Sequence, residues 1–215
     1  MNWFTKVLKV KPVPNKIVWW IGTDAVKLVW NYPMDFINRI RLFNYRIFWK
    51  IAHRRFNEHW VNCYNLGRAL NDFGIPQEKI RIKPMGYEKI IVDKKPDSFK
   101  ILFYINQRGK YHTDKNYRKR IDYFYGKRYY DYLQVHYDTV LIDGNADMKK
   151  VLKEVSCYIK VNATPYNDIN RVGKQCLDND IPVYVIEDWK NDFYDNIYKV
   201  IKWINIKKDT FNTSK

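Results

Sequence analysis

The chain has 215 residues, 46% of them hydrophobic and 17% aromatic, with a formal net charge of +16. That length allows one large domain or two small ones, and the hydrophobic share excludes an intrinsically disordered chain. The charge calls for an anionic partner, whether nucleic acid, phospholipid headgroups or phosphorylated substrates. It is also unevenly spread. Residues 1–96 hold 18 Lys/Arg against 7 Asp/Glu, a net of +11, and residues 97–215 hold 21 against 16, a net of +5.

From the N-terminus, MNWFTKVLKVKP has charges throughout and no apolar h-region, so it does not read as a signal peptide. Residues 6–11 are a candidate opening strand. Lys16–Ile21 (KIVWWI) reads as a buried strand ending in Gly22-Thr23-Asp24. The spacing predicts a long helix over Asp35–Asn57. Phe36, Ile40, Phe43 and Ile47 are expected to form its core face, and Arg39, Arg46 and Lys50 a solvated basic one. A basic amphipathic helix of this kind can also lie on anionic lipid. A short strand (His59–Cys63), a helix (Tyr64–Phe73) stopped by Gly74 as a left-handed cap, and a strand (Lys79–Lys83) closed by Pro84 follow. The polar break Asp93–Ser98 (DKKPDS) places a domain boundary at 95/96.

The second half alternates more clearly. Strands are expected at Lys100–Asn106, Thr139–Asp143, Cys157–Val161 and Pro182–Ile186. The intervening helices are Lys115–Leu133, Asp147–Val155 and Asn170–Asp178, and Phe193–Ile204 closes the series. Strands apolar on both faces, alternating with helices, imply a parallel sheet covered by helices. The fold class is therefore α/β. Three cysteines (Cys63, Cys157 and Cys176) show no metal-ligand or CxxC spacing, which fits a reducing, intracellular setting. The four histidines are dispersed, so no zinc site is expected. No stretch approaches the roughly 18 apolar residues of a spanning helix, so a cytoplasmic protein, at most peripheral at a membrane, is expected.

The most unusual segment is CYIKVNATPYNDINRVGKQ, where a strand hands over to a helix. Asp168 or Asn170 can cap that helix through a backbone N–H. Arg171 in the first turn opposes the helix dipole and becomes favourable beside an anion, so a phosphate-bearing ligand is expected here. This run resembles the donor-binding segment of GT-B glycosyltransferases of the family 4 type. Pro182-Val183 falls at the expected distance after Gln175. Asn167 and Gln175 keep the spacing of the family's paired glutamates, with amides in place of both carboxylates. Asp180 stands where the family prefers glycine.

The resemblance implies two Rossmann-like domains, a shortened acceptor domain (1–95) and a nucleotide-sugar donor domain (96–215), with the site in the cleft between them. Lys160 and Asn162 would point from their strand towards the donor. Asn167, Asp168, Arg171 and Gln175 would contact it. Arg108, Lys110 and Lys115, in the loop NQRGKYHTDK, would supply the Arg–Lys pair for the pyrophosphate, their register left open. WWIGTD is similar to the family's strand-end motif, which puts Gly22 and Thr23 by the acceptor and makes Asp24 the candidate base if the reaction inverts. A retaining reaction would need no base. The implied activity is a metal-independent, hexosyltransferase-type transfer. It needs no cofactor, takes a nucleotide sugar as donor, and uses an acceptor that is a glycan, lipid-linked sugar or protein. Two alternatives remain: a basic nucleic-acid-binding protein, which no binding motif supports, and a GT-B relic that binds sugar nucleotide without turnover.

Overall fold

The structure is a computed structural model and describes residues 16–20, 23–93 and 96–213. It is a mixed α/β protein built on two parallel sheets, and the chain divides into two compact units, Met1–Gly86 and Tyr87–Lys215. The break at residues 93–98 lies within the second unit. Residues 87–92 belong there because they are tied to one of its helices, as shown below. No described helix is long and apolar enough to cross a membrane. The candidate strand at residues 6–11 lies outside the described residues.

In the first unit the elements run β1 (Ile17–Trp20), α1 (Thr23–Val29), α2 (Phe36–Ala52), β2 (Glu58–Val61), α3 (Tyr64–Phe73) and β3 (Ile80–Ile82). Among the described residues the strands form a three-stranded parallel sheet in the order β1-β2-β3. Gly74 ends α3 at φ +102, and its N–H reaches the Leu70 and Asn71 carbonyls, as the sequence anticipates. Helix α1 is not anticipated: Gly22-Thr23-Asp24 reads in the sequence as the end of a strand, but Thr23 and Asp24 open a helix, with Asp24 placed favourably in its first turn. The polar centre of the unit is His59. Its Nδ1 accepts from Trp20 Nε1 at 3.1 Å, and its Nε2 faces the His53 carbonyl at 3.3 Å. That pairing requires a neutral ring, and burial pushes its pKa down to about 4. Trp49 packs on Trp20 with ring centroids 4.5 Å apart.

The orientation of α2 corrects the sequence reading. Asp35 caps it as expected, accepting from Asn38 N at 2.7 Å. The buried residues, however, are Leu42, Phe48, Trp49 and Ala52, whereas Phe36, Ile40, Phe43 and Ile47 are exposed. The helix carries two apolar stripes at helical spacing, and the one bearing Trp49 wins because an indole packed against Trp20 is the largest apolar side chain the helix can bury. Arg46 is not on a solvated face either. Its guanidinium donates to the Lys27 carbonyl (2.9 Å), Asn31 Oδ1 (3.0 Å) and the Trp30 carbonyl (2.9 Å), pinning the loop before the helix.

The second unit contains β4 (Ile101–Tyr104), α4 (Lys115–Tyr125), α5 (Lys127–Leu133), β5 (Thr139–Ile142), α6 (Met148–Leu152), β6 (Cys157–Asn162), α7 (Arg171–Leu177), β7 (Val183–Glu187) and α8 (Phe193–Thr213). Its sheet is parallel, in the order β5-β4-β6-β7. Both faces are covered. Ile101, Phe103, Ile159 and Val161 meet α5 and α8 through Tyr129, Leu133, Val200 and Ile204. Leu102, Ile142 and Tyr158 meet α6 and α7 through Leu152, Val172 and Cys176.

The single helix expected over Lys115–Leu133 is two. Gly126 breaks it at φ +66, and a Cβ there would fall 2.5 Å from the Val161 side chain, so only glycine lets the junction lie on the sheet. Cys157 and Cys176 are buried, one on each side of β6, and burial pushes both thiols up to about 12; Cys63, which precedes α3, is half-buried.

Candidate functional site

In the second sheet β4 is the turning point of the topology: β5 lies on one side of it, β6 and β7 on the other. Open parallel sheets bind ligands at such a reversal, outside the carboxyl ends of the strands. The strands part at this point. The β4–β5 ladder runs to Tyr104 and Ile142, whereas the β4–β6 ladder stops after Leu102 and Tyr158.

Three tyrosines line the floor of this parting. Tyr104 packs edge-on against Tyr125, with centroids 5.4 Å apart. The Tyr158 hydroxyl is held by Asn170, whose Nδ2 lies 3.0 Å away. Asn170 is also the cap of α7, accepting from Gly173 N at 2.9 Å, so it and not Asp168 fills that role. Asp168 is exposed and accepts from its neighbour Ile169 N at 2.7 Å.

Two arginines, Arg108 and Arg171, stand on the separate crossover connections that leave this parting, near Tyr104. Burial raises its pKa, Arg108 and Arg171 oppose that rise, and Asp143 at the end of β5 adds to it. Arg108 follows β4 and Arg171 opens the helix after β6. Both are exposed, and neither meets a carboxylate within ion-pair distance among the described residues. Arg108 also rests on the loop after β5. A Cβ at Gly144 would stand 2.4 Å from its Nε, so the missing side chain makes room for the guanidinium.

The other residues singled out by sequence are distributed as follows. Lys110 is exposed in the short turn after Arg108, and its carbonyl accepts from Asp114 N at 2.9 Å. Lys115 is the exposed first residue of α4, whose cap Asp114 is held below the usual carboxylate range by the Tyr117 N–H. Lys160 is buried on β6 and bonds Asn162 Oδ1. Asn167 closes a turn on Thr164, whose hydroxyl donates to its Oδ1 at 3.1 Å.

Gln175 stands one helical turn below Arg171 on the same face. It is buried, its Nε2 donates to the Glu88 carbonyl at 3.0 Å, and its Oε1 has no partner among the described residues. Asn179 extends this seam, donating to the Ile90 carbonyl (2.6 Å) and accepting from Val92 N (2.8 Å). Residues 87–92 are thereby strapped to α7.

In the first unit Gly22 lies outside the described residues, and Thr23 begins α1. Asp24 is exposed and paired with Lys27 at 2.8 Å. Among the described residues no three His, Cys, Asp or Glu side chains come together as a metal-binding group.

Sequence reasoning passed over Tyr104, Asp143 and Gly144. The strand-end pair Asp143-Gly144 carried a signal, because a glycine straight after a parallel strand often admits a close approach. No family model, curated protein or solved structure gives a significant match to the chain.

Proposed function

We propose that this protein is a GT-B-type glycosyltransferase, its two units serving as the acceptor and donor domains. The donor's nucleoside diphosphate is bound at the β4–β6 parting. The observation that carries this reading is the placement of Arg108, which follows β4 and rests on Gly144, and of Arg171, which opens the helix after β6, on the two crossover connections that leave the parting. Two guanidinium groups without carboxylate partners suit a diphosphate, and they offset the charge that develops as the sugar leaves it. Asp24, at the carboxyl end of β1, is the base assigned to an inverting transfer.

The direct test is titration of the chain with uridine and guanosine diphosphates and their sugar derivatives, followed by thermal shift. Arg108→Ala and Arg171→Ala should each weaken binding about tenfold while leaving the melt of the free protein unchanged. Absence of stabilisation by every nucleoside diphosphate, with tight and steeply salt-dependent nucleic-acid binding, would replace this reading by the nucleic-acid one. For an inverting transfer, Asp24→Asn should abolish turnover and leave nucleotide affinity intact; turnover that survives the substitution identifies a retaining one. A second reading, a nucleotide-binding module without turnover, is favoured by the amides at Asn167 and Gln175. Nucleotide binding without release of nucleoside diphosphate from any sugar donor identifies it.

A further inference from the structure

Helix α2 buries one of its apolar stripes and leaves the other in solvent. Phe36, Ile37, Ile40, Phe43, Ile47 and Ile51 range from 45% exposed at Ile47 to 76% at Phe36, and they follow one another at helical spacing along nearly the whole 17-residue helix. Scattered apolar residues on a surface need no explanation, but a continuous stripe of six large ones does. The helix is held firmly from behind. Trp49 and Phe48 are in the core, and the three bonds of Arg46 fix its approach loop. The stripe is therefore presented on a rigid element.

The charges beside it are of one sign. Residues 36–55 contain six Lys/Arg and no Asp/Glu. At 3.6 residues per turn, Arg39 and Lys50 run along one edge of the stripe and Arg41 along the other. Arg39, Arg41 and Arg54 are exposed and meet no carboxylate within ion-pair distance among the described residues. Lys50 is exposed too, its ammonium 5.3 Å from the Phe73 ring centroid.

We infer that α2 is a membrane-docking helix, lying in the plane of an anionic lipid surface with its outer stripe among the acyl chains. The composition matches that role: apolar side chains enter the headgroup boundary, while flanking arginines reach anionic lipid phosphates. A second copy of the chain fits less well, because stripe against stripe brings the bordering cations of two copies together. Nucleic acid fits less well again, since the centre of the patch offers phosphates no donor. The assignment rests on the first unit alone and is independent of the nucleotide site.

The test is co-sedimentation of the full chain with vesicles of phosphatidylcholine alone or of an equal mixture with phosphatidylserine. The chain should bind the mixed vesicles and lose affinity as salt is raised. Phe36→Ser with Phe43→Ser alters only exposed positions, so the melt should be unchanged and partitioning should fall about tenfold or more. Arg39→Gln with Arg41→Gln should remove most of the preference for phosphatidylserine. Failure of the native chain to bind mixed vesicles overturns the assignment. So does a serine variant that binds like the parent. Self-association that the serine pair abolishes, with no lipid binding, assigns the stripe to a second copy instead.

Discussion

In the second unit, α8 carries one apolar stripe, and Ile197, Val200 and Ile204 spend it on the sheet. In the first unit α2 carries two, and the unit has room for only one. The contrast is between a four-stranded sheet covered on both faces and a three-stranded one whose longest described helix buries Leu42, Phe48, Trp49 and Ala52 and leaves six large apolar side chains exposed. Burial tells the helices of the second unit which way to turn. For α2 the choice falls to the side that carries Trp49, which packs against Trp20 and Phe56, and the remaining stripe is available for other work. The buried polar groups differ in kind as well. The first unit centres on an imidazole held neutral by an indole and a carbonyl, whereas the second scatters its buried polar side chains, with Lys160 on β6, Thr164 after it, Gln175 on α7 and Asn196 on α8.

Substitutions can strain this comparison from both sides. The largest effect should come from Gly126→Ala, which combines a left-handed backbone with a Cβ driven into Val161. We expect a loss of roughly 3–4 kcal/mol in the second unit, read by hydrogen exchange along β6. Phe48→Ala should cost about 3 kcal/mol in denaturant melts, since it empties the inner stripe of α2.

The pH dependence of the first unit should follow His59. Its folded pKa lies near 4, against an ordinary value of 6.5. Between those limits the unfolded chain binds a proton that the folded unit refuses. Stability is therefore complete above pH 6.5 and falls by about 2–3 kcal/mol as the pH drops towards 4. Glutamine at position 59 should flatten that slope.

Asn179→Ala releases two bonds that strap residues 87–92 to α7 and should cost about 1–2 kcal/mol, seen as faster exchange at Val92. Smallest of all is Phe43→Ala, on the outer stripe, which should move stability by under about 0.5 kcal/mol. A large loss at Phe43 would show that the stripe is covered after all, and the contrast between the units would collapse.

How much of this was legible beforehand depended on which physical signal decided each element. The strands of the second sheet and the Gly74 cap could be read because hydrophobic runs and a left-handed glycine act locally. The face of α2 could not, since periodicity reports that a stripe exists and says nothing about which of two stripes finds a partner. Gly126 was visible as a residue but not as a break, because its reason is Val161, far along the chain. At the candidate site, Arg171 stood out because a cation at a helix start is locally unfavourable. Tyr104 and Gly144 did not, because their relevance comes from strand order, which brings the loops after β4, β5 and β6 to one place. Gln175 was expected to face a ligand, and it faces the backbone of residue 88, a contact no local pattern encodes.

The cysteines give the two units separate chemical clocks. Cys157 and Cys176 are sealed on opposite sides of β6 with thiols near 12, whereas a thiol in the open chain ionises near about 8.5. A thiol-selective reagent at neutral pH can therefore label them only when the second unit opens, at a rate that reports its opening free energy. Half-buried Cys63 is partly open in the folded first unit and sets the fast reference rate. Counting labels per molecule over time, with no introduced probe, would separate it from the slow pair and give the opening rate of the second unit.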